Sequence, residues 1–313
     1  MLGSLALMSA GALYFICFGS SMAFLRGATF RLNAAPERYA LRDDPAPTDA
    51  PLTVVTSIPT PPMDVPWWSP VAIVNPNTLE RYTLVHGAGN CAAKSRGLGW
   101  WLHARGVPFR LVHLLLDPKI RDGDGHVMVE TTWLQDGTPV RALLDPLAAG
   151  VPVSDGVPLT SERLISDRQA LRVSYEPIRP DMQDMRASVA VPAQFPEKAS
   201  DTFFVGFSSD RQVISHLQFM ERLSSVLPDS LISRYVGMSA SLFLGIYPSV
   251  FVPPSESERL SDILRLDMLV AQVVVWSARA AFGLGIIVIA GRIISAPSGT
   301  RASRESSPAL PLA

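Results

Sequence analysis

Cys91, His126 and Asp145 occur in that order, the histidine 35 positions after the cysteine and the aspartate 19 positions after the histidine. A thiol, an imidazole and a carboxylate are the parts of a nucleophile, a general base and the group that orients the base. Their surroundings give each part a place. Gly89-Asn90-Cys91-Ala92-Ala93 puts the thiol at a helix start, where the positive end of the helix dipole and unpaired backbone N–H groups favour thiolate over thiol. Gly125-His126-Val127-Met128-Val129-Glu130 opens a strand on the histidine directly after a glycine turn, and Leu144-Asp145-Pro146 closes the next strand on the aspartate. If the two strands pair antiparallel, ring and carboxylate share one sheet end, and the helix delivers the thiol to them. Taken singly, the three have plainer readings: a small residue at a helix start, a histidine satisfied at a strand edge, a turn aspartate. Their joint order is what points to chemistry.

The elements needed to position them are legible. Cys91 to Arg105 (CAAKSRGLGWWLHAR) has no proline, sets Ala92, Leu98, Trp101 and Leu102 near helical spacing, and runs into Gly106, a stop signal. Phe109 to Leu116, His126 to Leu134 and Val140 to Leu144 read as strands, separated by the turn-forming Asp122-Gly123-Asp124-Gly125 and Asp136-Gly137. The expected core is therefore α+β, one helix followed by a three-stranded antiparallel meander, with Ala170 to Tyr175 as a strand that extends the sheet. Further on, Ser209 is placed to cap a helix whose Val213, Leu217, Met220 and Leu223 form one apolar stripe, with Asp210 in its first turn.

Composition places this core near a membrane. Apolar residues make up 48% of the 313, and charged residues only 18%, against roughly 25% in ordinary soluble domains. Leu2 to Leu25 carries no charge and is long enough to cross about 30 Å of hydrocarbon as a helix. A cleaved signal peptide is the rival reading, since Ser21, Met22 and Ala23 resemble a cleavage site, but the basic n-region is missing. Met268 to Ala290 is the second candidate span, with Arg279 expected to face a partner or snorkel to an interface. Tyr235 to Val252 is shorter and broken by Pro248, which suits a buried or interfacial helix better than a span. Between the first span and the core, prolines from Pro45 to Pro70 read as an extended tether, with Trp67 and Trp68 either docking it or standing at an active-site rim. Of the two cysteines, Cys17 lies in the first span and reads as packing.

The Cys91, His126 and Asp145 motifs, with Gly106-Val107-Pro108-Phe109-Arg110 and His126-x-x-x-Glu130 between them, resemble the transglutaminase-like superfamily, which has a papain-like fold. The likeness covers roughly residues 80 to 150. It implies a core in which the helix bearing the cysteine packs on an antiparallel sheet, flanked here by transmembrane helices. It further implies Cys91 as nucleophile, His126 as general base and acid, Asp145 as the group orienting the imidazole, and the Cys91 backbone N–H as a donor to the oxyanion. Ala93 departs from the pattern, because many relatives carry an acid at that position. The expected organisation is an anchor at 1–25, a proline-rich tether at 26–70, a transglutaminase-like domain at 71–180, a helical and partly apolar region at 181–267, a transmembrane helix at 268–290 and a disordered tail at 291–313.

Several other classes lack their motifs. Lys plus Arg (27) and Asp plus Glu (28) nearly cancel, so no whole-protein field draws in nucleic acid. The twelfth position counted from Asp122 is Trp133, not the bidentate acid of a calcium loop, and His86, His103, His113 and His216 show no zinc spacing. There is no P-loop, G-x-G-x-x-G or G-x-S-x-G. No cofactor and no metal are expected. The expected function is a membrane-anchored thiol enzyme acting on amide or ester bonds of a peptide or protein, a peptidase or amidase in preference to a transferase. The alternative is a non-catalytic binding or assembly module, and the C-terminal helices offer a surface for a membrane-protein partner. A bacterial inner membrane is the expected location. Arg26, Arg31, Arg38 and Arg42 after the first span lean the domain toward the cytoplasmic side.

Overall fold

The computed structural model describes residues 27–41, 91–116, 125–135, 137–148, 150–168, 171, 173–177, 203–226, 237 and 240–294. The expected N-terminal span with Cys17, the run of prolines with Trp67 and Trp68, the turn at 122–124 and the tail after 294 lie outside them.

The chain is a mixed α+β protein. In chain order the elements are β1 (Phe30–Arg31), α1 (Cys91–Ala104), β2 (Phe109–Leu116), β3 (Gly125–Gln135), β4 (Thr138–Leu144), β5 (Gly150–Ser154), β6 (Val157–Pro158), α2 (Ser161–Ser166), β7 (Val173–Pro177), β8 (Phe203–Ser209), α3 (Asp210–Ser224), β9 (Val250–Phe251), α4 (Pro254–Ser257) and α5 (Asp262–Ile294). β2, β3 and β4 pair antiparallel, as the meander requires, inside a six-stranded sheet ordered β1-β9-β8-β2-β3-β4. β5, β6 and β7 form a second, three-stranded sheet.

Three boundaries differ from the expected ones. The strand near residue 175 does not extend the main sheet; Val173–Pro177 pairs with β5 in the second sheet. The place beside β2 is taken by β8, from the region expected to be helical, with Val112 opposite Phe207 and Leu114 opposite Val205. The main sheet also takes β1 from the expected tether, and Tyr39 stacks on Phe207 with ring centroids 4.6 Å apart. A three-stranded meander leaves an edge at β2, and the buried run Phe203–Ser208 covers it.

One face of the sheet is covered by α1 and α3. Leu98 and Leu102 of the first helix and Val213, Ile214 and Leu217 of the second close over Val127, Val129 and Trp133. On the other face Val112, Leu114, Met128 and Val205 pack with Leu164 of α2 and Val173 of β7. α1 ends at Gly106, which takes the left-handed conformation (φ 71°) common just past a helix. Gly99 lets α1 approach the sheet, since a β-carbon there would come within 2.5 Å of the buried Phe109 ring.

A buried ion pair fixes the register below the site. Arg110 and Glu130 are directly opposite across β2 and β3, and Arg110 Nε donates to Glu130 Oε2 at 2.7 Å. The Ser161 backbone N–H and hydroxyl donate to the same carboxylate, at 3.1 and 2.7 Å, while Arg110 donates to Ser161 Oγ and to the Tyr39 carbonyl. A buried pair persists only where its remaining hydrogen bonds are satisfied, and these bonds tie α2 and the 27–41 segment to the sheet.

α5 is long and apolar enough, over Asp262–Arg292, to cross a membrane. It begins earlier than the apolar run predicts because Leu264, Met268, Ala271, Val275 and Ala278 pack against the domain, while Ile263, Leu266, Leu269, Val273 and Trp276 face outward. The stretch expected as a buried or interfacial helix over 235–252 is interrupted at Gly245 (φ 74°) and ends in β9, which lies between β1 and β8 in the main sheet. Its Leu242 and Phe243 carbonyls accept from Arg279, which thereby has the partner its place in an apolar helix demands.

Candidate active site

The site is assembled from the start of α1, the start of β3 and the end of β4. Gly125 supplies the close approach that starts β3: a β-carbon there would meet the Leu114 carbonyl oxygen at 2.8 Å. His126 therefore begins its strand tight against β2, opposite Leu114. Asp145 follows the last residue of β4 and exchanges backbone hydrogen bonds with Gly150, at 2.9 and 3.2 Å, where the chain turns from the main sheet into the second. Cys91 is the first residue of α1 and is half-buried, its Sγ 3.9 Å from the Gly125 carbonyl oxygen.

The three side chains predicted from sequence meet. His126 Nε2 is 2.6 Å from Asp145 Oδ2, and both residues are buried, at 1% and 0% exposure. With Nε2 engaged by the carboxylate, Nδ1 is the ring nitrogen that serves the sulfur, which lies within hydrogen-bonding reach of the ring. Asp145 is itself held from two sides. Its Oδ1 accepts the backbone N–H groups of Leu147 and Ala148 at 2.9 and 3.2 Å, and Oδ2 accepts the Tyr175 hydroxyl at 3.1 Å. Four donors on one carboxylate fix its plane and leave it ionised.

The electrostatics follow from these contacts. Burial alone pushes the Cys91 thiol up, but the hydrogen bond and positive charge of His126, with the Val127 backbone N–H, bring it below its ordinary value. Burial pulls His126 down, yet the charge and hydrogen bond of Asp145, reinforced by Cys91, raise it to about 10. Burial raises Asp145, and His126 together with the Ala148 and Leu147 N–H groups reverse this and hold it low. Tyr175 goes well above the usual phenol range through burial and the Asp145 charge, so it stays a neutral donor. The state these shifts favour is thiolate, imidazolium and carboxylate, a charge alternation in which each ion is paired with its neighbour.

Three further residues serve the site without having stood out in the sequence. Ser95, one turn after Cys91, donates from its hydroxyl to the Val127 carbonyl at 2.7 Å and so locks α1 to β3 one residue beyond the histidine. Its position four residues after the cysteine was a usable signal, because residues i and i+4 share a helix face. Lys94, at 1% exposure, lies on the same turn; burial lowers its pKa and the Asp145 carboxylate partly restores it. Tyr175 gives no local signal, since it reaches Asp145 from the second sheet across 30 residues. Among the described residues no group of three His, Cys, Asp or Glu side chains is placed to hold a metal ion.

No protein-family model matches this chain, and neither a curated protein nor a solved structure matches it.

Proposed function

We propose that the chain is a membrane-associated thiol enzyme of transglutaminase-like type, with Cys91, His126 and Asp145 as its catalytic triad. The observation that carries this reading is the 2.6 Å contact between buried His126 Nε2 and Asp145 Oδ2, with the Cys91 thiol hydrogen-bonded to the same ring. A cysteine-bearing helix packed on an antiparallel sheet, as α1 packs on β3, is also the arrangement of a papain-like core.

In this reading the Cys91 thiolate attacks the carbonyl carbon of an amide or ester, forming a C–S bond and a tetrahedral oxyanion. The backbone N–H groups at the α1 N-terminus, that of Cys91 included, are the donors for this charge, because the first turn of a helix has no internal acceptors for them. His126 gives its Nδ1 proton to the departing nitrogen or oxygen as the C–N or C–O bond breaks, leaving an acyl-enzyme. Water then loses a proton to Nδ1, its oxygen attacks the thioester carbonyl, and the C–S bond breaks to regenerate the thiolate. Asp145 stays ionised throughout and holds the ring in register. Hydrolysis makes the protein a peptidase or amidase of a peptide or protein substrate; an amine in place of water would make it a transferase. α5 supplies the membrane association.

The test is labelling of the full chain by an acyl-directed thiol probe. Wild type labels at Cys91 and Cys91→Ala does not; unchanged labelling in Cys91→Ala would sink the assignment.

A further inference from the structure

Away from the triad, α5 and the 240–249 segment line an open cleft that includes Arg31, Arg279, Gln272, Tyr247, Ser249 and Trp276. It holds two cations, and no Asp or Glu is among the described residues that line it. Among the described residues Arg31 engages acceptors only through Nη1, with the Ala28 and Phe30 carbonyls at 2.7 and 3.0 Å. Arg279 donates from Nε to the Phe243 carbonyl at 2.5 Å and from Nη2 to the Leu242 carbonyl at 2.8 Å. Nε and Nη2 of Arg31 and Nη1 of Arg279 thus have no acceptor among the described residues.

Arg31 is exposed and water can meet its unused donors, but two like charges share the one cleft. Burial and the nearby charge of Arg279 together hold Arg31 below its ordinary value, so the two guanidiniums act on each other. The carbonyl oxygens fix where the two heads lie but offer only partial charge. A negative group between them would offset the repulsion and take up the unused donors, and a guanidinium fork matches the oxygens of a phosphate two at a time. Tyr247 and Ser249 bring hydroxyls to the same lining, and Gln272 holds its amide on the Phe30 carbonyl at 3.2 Å.

We propose that this cleft binds a phosphate group, clamped between Arg31 and Arg279. Either a lipid headgroup or a free phosphate presents that chemistry. Trp276 lies at the cleft with its ring 5.0 Å from the Arg279 guanidinium carbon and 66% of its surface exposed, on a helix whose outward side chains are apolar, a setting typical of a lipid interface. The proposal stands whether or not Cys91 is catalytic.

The experiment uses the full chain in a neutral detergent, titrated separately with phosphatidylglycerol, read by native mass spectrometry, and with inorganic phosphate, read by calorimetry. Saturable binding of at least one probe is expected, weakened about tenfold or more in Arg31→Gln and less in Arg31→Lys. Arg279→Gln should do the same, but it also frees the Leu242 and Phe243 carbonyls, so Arg31→Gln is the deciding variant. Binding of the lipid alone identifies a headgroup site, and binding of both identifies a site for phosphate as such. The proposal is overturned if neither probe binds, or if Arg31→Gln binds like wild type.

Discussion

The Tyr175 hydroxyl and the His126 ring converge on one oxygen, Asp145 Oδ2, from the two different sheets of the protein, at 3.1 and 2.6 Å. The carboxylate that orients the base is thus positioned by the packing of one sheet on the other. A rigid site built this way needs the second sheet even though no strand of it carries the nucleophile, the base or the acid.

Tyr175→Phe should therefore act on the site through Asp145. Losing one donor to a charged acceptor costs about 1.5 to 3 kcal/mol where the group is fully buried, and half-buried Tyr175 should fall at the lower end. Without that donor the Asp145 pKa rises, so the acid limb of any activity profile moves to higher pH. Equilibrium unfolding and a pH profile of the variant check both parts; an unmoved acid limb would show that Tyr175 only packs.

Glu130→Gln should be among the most damaging single changes in the domain. Breaking one side of a buried pair leaves Arg110 with only the exposed Glu162 as a charged partner, at a cost of up to about 3 to 5 kcal/mol. Denaturant titration of the purified full chain measures this, and a loss below about 1 kcal/mol would mean that the network with Ser161 and Tyr39 does not depend on the charge.

Gly99→Ala tests the close approach of α1 to β2. Alanine gains about 1 kcal/mol of helix propensity over glycine, yet here its β-carbon meets a buried aromatic ring at 2.5 Å. Overpacking of that kind costs about 1 to 3 kcal/mol, so the net change should be neutral to destabilising. The Gly99→Ala, Phe109→Leu double variant should then melt higher than the sum of the two single changes predicts, whereas simple additivity would place the strain elsewhere.

Much of this was readable in the residues because the strands of the meander are short β-rich runs bounded by turns, and because Gly106 stops α1 where its sequence says. β8 carries no strand signal of its own, for a physical reason. Phe203–Ser208 is buried on both faces, so it lacks the alternation that marks a strand, and its partner β2 lies about ninety residues earlier. The three catalytic candidates were legible from order and local setting, since helix start, strand start and strand end are local properties. Tyr175 was not, because only the fold of one sheet against another brings it to Asp145, and no spacing encodes that contact. Glu130 stands in the His126-x-x-x-Glu130 motif, but its bond to Ser161 depends on the placement of α2.

The central claim is that Cys91 is a thiolate held by His126, and the pH dependence of its alkylation tests this most directly. An ordinary cysteine loses its thiolate as pH falls through about 8.5. In this site the Cys91 value is lowered and the His126 value raised to about 10, so the ion pair persists from below the ordinary thiol range up to about pH 10, where the imidazolium loses its proton. By linkage, the raised His126 stabilises the fold fully below its ordinary value of about 6.5 and loses that contribution as pH rises through about 10. Depressed Asp145 contributes above about pH 3.9 and loses its effect as pH falls through its lower folded value. Iodoacetamide modification of the full chain, quantified on the Cys91 peptide, should therefore stay fast well below pH 8 in wild type and revert to an ordinary thiol profile in His126→Gln. The same ordinary profile in wild type would contradict the triad.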